Sequence, residues 1–199
     1  MIKFNFFLLI GLLIGLIVSY KLAAKDIHNG IFTGIQGGML NTIADEGKNP
    51  DTGTFGAHLA YFGAYKKTEE AKNYSYFKGG LDYESSFGPM TALQGFGVFA
   101  DTGAVLFDMW RIGAGVTFNY LTKKDLMVGL LSGFVISPYL ETAIMWQAFE
   151  RSGFDFGFRI GSPVKVTAQR IEPYLSANKM QQIDWKFTAS YYHFFGGKK

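Results

Sequence analysis

The feature that most constrains this chain is a strict two-residue alternation of apolar and polar side chains, which returns in one segment after another. Over 110–120, Trp110, Ile112, Ala114, Val116, Phe118 and Tyr120 alternate with Arg111, Gly113, Gly115, Thr117 and Asn119. Over 77–87, Phe77, Leu81, Tyr83 and Phe87 oppose Lys78, Gly80, Asp82, Glu84 and Ser86. Phe154, Phe156, Phe158 and Ile160 oppose Asp155, Gly157, Arg159 and Gly161, and the final segment sets Trp185, Phe187, Ala189, Tyr191 and Phe195 against Lys186, Thr188, Ser190 and Tyr192. Successive side chains of a strand point to opposite faces, so this period specifies strands whose two sides meet different surroundings.

A soluble sandwich would alternate in the same way, with the apolar face turned inward. Three features favour the inverse arrangement, apolar side out. The segments run about 10 to 12 residues, the length of a tilted membrane-spanning strand and roughly twice that of a soluble one. Aromatic residues close the ends of the apolar faces, as an interfacial girdle requires: Tyr61, Tyr65, Trp110, Tyr120, Trp146, Trp185 and Phe195. The polar faces mix charge with glycine, which suits a narrow lumen filled by side chains. Composition agrees, with 25 Gly, 20 Phe, 11 Tyr and few Pro.

The first residues carry one cation, Lys3, and lead into the apolar run Phe6 to Val18, followed by Ser19-Tyr20-Lys21-Leu22-Ala23-Ala24. That run is too short for a membrane helix of about 20 residues and fits the core of a signal peptide. The expectation is a signal peptide over 1–24 and one domain over 25–199. Removing Lys3 and Lys21 leaves 17 basic against 16 acidic residues, a net charge of +1. No nucleic-acid partner follows from that balance. There is no cysteine, so disulfides and thiolate chemistry are excluded.

Segments at 30–41, 54–65, 76–87, 94–106, 109–121, 126–136, 138–149, 154–165, 173–180 and 185–195 read as strands. The count is ten, an even number as a single-chain barrel requires. Pro138 and Pro173 then each open a strand, where the missing N–H costs least. An eight-strand barrel follows instead if 126–136 is helical and 173–180 is loop. The polar stretch from Asn41 to Thr54 is the longest loop and the best candidate for a surface contact.

These residues resemble small bacterial outer-membrane barrels of the outer-membrane protein A-like or opacity-type superfamily. The resemblance covers roughly 28–195 and rests on pattern. Its most specific piece is the C-terminal strand, where Thr188, Ser190, Tyr191 and Phe195 follow the form read by the barrel-assembly machinery; His193, and Gly196 to Lys199 beyond the end, depart from it. The resemblance implies an antiparallel up-and-down barrel in the bacterial outer membrane, with membrane lipid, lipopolysaccharide and the assembly machinery as partners.

Inside such a barrel, Lys78, Arg111, Arg159 and Lys186 would share the lumen with Asp82, Glu84, Glu141 and Asp155. Charges taken from water must pair, so these eight are expected to form a plugging salt-bridge network. No catalytic residue, metal site or cofactor is expected. The histidines are His28, His58 and His193, and none has a serine two positions away, the spacing of lipid A deacylating barrels. His58 falls on an inner face, where a satisfied lumen residue is the simpler reading. The expected function is therefore a non-enzymatic barrel serving envelope integrity or surface interaction, followed by a narrow channel for ions or small solutes, and third by a lipid-modifying enzyme.

Overall fold

A computed structural model describes residues 26–44, 47–48, 52–68, 70–87, 91–125, 129–161, 164–167, 169–170 and 179–195. The expected signal peptide and Pro173 lie outside them. The strands, in chain order, are β1 (Asp26–Ala44), β2 (Gly47–Lys48), β3 (Thr52–Lys66), β4 (Tyr74–Phe87), β5 (Thr91–Leu106), β6 (Trp110–Asp125), β7 (Gly129–Gln147), β8 (Ser152–Gly161), β9 (Val164–Thr167), β10 (Gln169–Arg170) and β11 (Lys179–Phe195). Eight of them, β1, β3, β4, β5, β6, β7, β8 and β11, form one antiparallel sheet, and it closes because β11 pairs with β1. The short β2, β9 and β10 pair onto β1, β11 and β7 at the end away from the chain termini.

The favoured count of ten is thus corrected to eight. Segments 126–136 and 138–149 belong to the single strand β7, which runs through Pro138 without a break. Pro138 stands opposite Val116 on one side, while on the other the ladder to β8 has ended at Tyr139↔Gly161. The missing N–H therefore falls beside the end of a ladder, a position where proline is tolerated. The sequence 179–195 likewise forms one strand. The loop expected from Asn41 to Thr54 is shorter than that, because β1 and β3 extend into it and β2 pairs back onto β1.

Registers define the barrel's shape. Following the ladder from Tyr76 through Gly103, Gly113, Glu141, Arg159, Lys186, Gly38 and Thr54 leads to Ser86, ten residues above the start on the same strand. With about 3.3 Å per residue and about 4.8 Å between strands, that stagger over eight strands tilts them by about 40° and gives a backbone radius of about 8 Å. Such a cylinder has room for side chains and little else.

The outer surface is apolar: Ile35, Leu59, Leu81, Phe96, Phe134, Leu140, Ile144, Phe156 and Phe187 are all exposed. Trp110 and Tyr120 bound this face on β6. Ten residues apart, they are separated by about 25 Å along the axis at that tilt, the height of the apolar band of a membrane barrel.

Candidate functional site: the charged lumen

Alternation turns every second residue inward, and glycines clear the space that the long side chains cross. At Gly115 an added Cβ would meet the Tyr139 ring at 2.6 Å, so glycine is what allows Tyr139 to lie over β6 and donate to Asp101 Oδ2 at 2.9 Å. The eight charged residues picked out by alternation all sit inside and are buried, with Arg111 and Asp155 each 1% exposed.

Glu141 is the hub. Its carboxylate accepts from Lys78 Nζ at 2.8 Å, from Arg111 Nη2, and from Arg159 through Nη2 at 3.0 Å and Nε at 3.2 Å. Arg111 also holds Asp155 with two hydrogen bonds, at 3.1 and 2.9 Å. Arg159 stands 4.0 Å from Asp82, whose other oxygen accepts from Gln36. Lys186 Nζ donates to Glu84 Oε2 at 2.8 Å. Aromatic faces flank the cations: Arg159 lies 4.1 Å from the Tyr139 ring centroid, and Arg111 lies 5.3 Å from that of Tyr76. Guanidinium groups are weakly hydrated and suit such stacking.

Asp101 belongs to the same network and was not among the expected eight. It is fully buried, 3.3 Å from Lys78, and accepts from Tyr139. Alternation does place it inward with Gly97, Phe99 and Gly103, but Phe99 on that side makes the polar face look apolar. The described lumen therefore carries five carboxylates against four cations.

A second feature was legible only at Tyr192, which alternation sets on the polar face with Lys186, Thr188 and Ser190. Towards the end carrying the chain termini, Phe32, Phe62, Tyr76 and Tyr192 are buried together, each exposed by 3% or less. Phe62 lies 4.8 Å from Phe32 and 5.3 Å from Tyr76 between ring centroids, and Phe32 stacks on Tyr192 at 5.4 Å. Phe194 packs against this layer from beside Tyr192. The stretch Tyr61-Phe62-Gly63-Ala64-Tyr65 is apolar on both faces, so its period did not reveal which ring points in.

The seven girdle residues fall into two sets. Tyr61, Tyr65, Trp110, Trp146 and Phe195 lie towards the end with the termini and the turns at 70–73, 107–109 and 148–151, whereas Tyr120 and Trp185 lie towards the other. Trp110 donates through Nε1 to Thr142 Oγ1 at 2.8 Å.

His58 is brought to Ser190, Nε2 to Oγ 2.8 Å, although they lie 132 residues apart in sequence. The pair straddles Gly34, which is in register with both; an added Cβ there would meet Ser190 Cα at 2.6 Å. Both residues are buried in the lumen, His58 at 8% and Ser190 at 5% exposure. His28 and His193 lie on β1 and β11 near their terminal ends. Among the described residues no group of three or more His, Cys, Asp or Glu could hold a metal ion, and no helix is long and apolar enough to cross a membrane.

No protein family model and no curated protein matches the sequence. Solved structures do match in fold. Neisserial surface protein A is similar over 83% of this chain and 97% of its own, at 10% identity and a TM-score of 0.51. The outer membrane protein OprG from Pseudomonas aeruginosa covers 88% of this chain and 99% of its own at 13% identity, with a TM-score of 0.47. Ail, the attachment invasion locus protein of Yersinia pestis, covers 83% and 97% at 10% identity, with a TM-score of 0.44. With its apolar exterior, polar interior and closed eight-strand sheet, the chain has the fold of a small outer-membrane β-barrel such as Neisserial surface protein A.

Proposed function

We propose that this barrel is a closed, non-enzymatic body in the outer membrane that serves envelope integrity or surface interaction, and that it conducts neither ions nor solutes. The observation that carries this reading is the lumen's double closure. A carboxylate bound by three cations occupies the middle, and a stack of four rings lies between it and the end with the termini. Pulling Glu141 away from Lys78, Arg111 and Arg159 would leave buried charges unpaired, an expensive step. A route past Phe32, Phe62, Tyr76 and Tyr192 would require their rings to move together. Membrane lipid, lipopolysaccharide and the assembly machinery are the partners this role implies.

Reconstitution of the purified barrel into planar lipid bilayers tests the proposal. Folded protein, verified by its shift in gel mobility on heating, should give no steps above the bare bilayer. Reproducible unit conductance in the parent protein would overturn this reading in favour of a narrow channel lined by the same charges.

A further inference from the structure

Beyond the ring layer, at the end carrying the chain termini, the lumen opens into a cup of about 250 Å³. Its floor is formed by Tyr74, Met145, Tyr192 and Phe194. Its wall is polar: His28, Lys66 and Gln147 continue the inward rows of β1, β3 and β7 past the rings, and Asp108, Glu150 and Arg151 enter from the turns. The rim is laced together. Asp108 N donates to Lys72 O at 2.7 Å, Phe107 N to Asn73 Oδ1 at 2.8 Å, Met145 N to Met109 O at 2.7 Å and Phe194 N to Arg151 O at 2.8 Å. These bonds between neighbouring elements hold the mouth in one shape, so a ligand would enter a site already formed.

We propose that this cup binds one neutral sugar ring, free or at the end of an oligosaccharide. Among its charged groups, Lys66 and Arg151 balance Asp108 and Glu150, so the wall carries no excess charge to draw in an ion. Lys66 Nζ is already held, 3.0 Å from Asp108 Oδ1 and 4.5 Å from the Tyr74 ring centroid. What the wall presents instead is donors and acceptors at close intervals: ammonium, guanidinium and amide beside two carboxylates. Sugar hydroxyls both donate and accept, so one ring of them meets both kinds. His28 Nε2 is buried at the cup and makes no hydrogen bond within the protein; a buried polar atom of this sort calls for a partner, which a ligand hydroxyl supplies. Below, the aromatic floor gives the C–H surface of the sugar an apolar bed. At roughly 30 Å³ per water the cup holds about eight waters, room for one ring and too little for two. In a barrel placed in the outer membrane, the end with the termini and short turns faces the periplasm, where the glycan of the cell wall lies.

Saturation-transfer NMR tests this on the full barrel refolded in dodecylphosphocholine, a detergent without sugar, with N-acetylglucosamine as the probe. Wild type should transfer magnetisation to the ring protons. His28→Ala and Glu150→Ala, changed at separate points of the wall, should each weaken binding about tenfold, as loss of one good hydrogen bond implies, while keeping wild-type heat-modifiable mobility. No transfer in wild type, or equal binding in both variants, overturns the proposal. So does tighter binding of glucuronate or protonated glucosamine than of the neutral sugar, since the cup would then be reading charge. Di-N-acetylchitobiose identifies the source: binding as strong as that of the single unit supports a chain end, and much weaker binding supports a free sugar. Failure of the closed-lumen reading would appear in conductance and leave these signals unchanged.

Discussion

Arg111 on β6 reaches across β7 to grip Asp155 on β8 with two hydrogen bonds, Nε to Oδ2 at 3.1 Å and Nη2 to Oδ1 at 2.9 Å. Ala143, in register with Arg111 on the intervening strand, is small enough to let the guanidinium pass. This two-point contact ties together strands that share no ladder, and both partners are almost completely buried. Removing Arg111 would leave Asp155 without its cation and Glu141 with two of its three. Arg111→Ala should therefore cost about 3 to 5 kcal/mol, less where water enters the lumen. Urea unfolding in lipid vesicles reads this as a lower midpoint, and adding Asp155→Ala should recover part of the loss. A double mutant no better than the single would mean that the Arg111–Asp155 contact carries little of the stability.

Glu141 and Phe62 separate the two closures. Glu141→Gln removes the charge that holds Lys78, Arg111 and Arg159 together, whereas Phe62→Ala removes a ring that touches both Phe32 and Tyr76. If the closures act in series, each single variant should remain nearly silent in planar bilayers while the double variant conducts. Conductance in Phe62→Ala alone would show that the charge network is permeable.

The two faces of β6 should respond differently at adjacent positions. Val116 faces the lipid near mid-height, where an arginine costs about 2 to 4 kcal/mol in a membrane barrel, so Val116→Arg should impair assembly into vesicles. Gly115→Leu should act inside instead, because its Cβ would meet Asp101 Cβ at 2.5 Å and the Tyr139 ring at 2.6 Å. Assembly yield tracks the first effect and the denaturant midpoint the second. Wild-type assembly of Val116→Arg would place that side chain away from lipid.

The hairpin between β5 and β6 stores backbone strain. Phe107 and Asp108 both have φ of 57°, and Met109 N donates to Leu106 O at 3.1 Å across the turn. Left-handed turn positions favour Asn and Gly, because that backbone costs other residues roughly 1 to 2 kcal/mol. Phe107→Asn should accordingly raise the unfolding midpoint by about 1 kcal/mol. A decrease would mean that the exposed Phe107 ring contributes more at the membrane interface than its backbone costs.

By itself the sequence determined, for the strands with clear alternation, which residues share a face and so which charged residues enter the lumen together. Alternation is a local property: once Trp110 points out, Arg111 points in, whatever the rest of the chain does. Lys78, Asp82, Glu84, Arg111, Glu141, Asp155, Arg159 and Lys186 could all be placed by that rule. Asp101 obeys it too and was hidden only by Phe99 on the same face. Which cation meets which anion was decided by the tertiary structure, because that depends on stagger, a quantity summed over eight ladders and present in no single strand. Ten residues of stagger carry Arg111 to Asp155, gather Lys78, Arg111 and Arg159 on Glu141, and draw His58 to Ser190 across Gly34. The strand number was decided at the same level. Pro138 reads as a strand start wherever its missing N–H needs an open edge, and only the early end of β8 supplies that edge within a continuous β7. The ring layer of Phe32, Phe62, Tyr76 and Tyr192 is the clearest case, since rings drawn from four strands have no pattern until closure brings those strands around one axis.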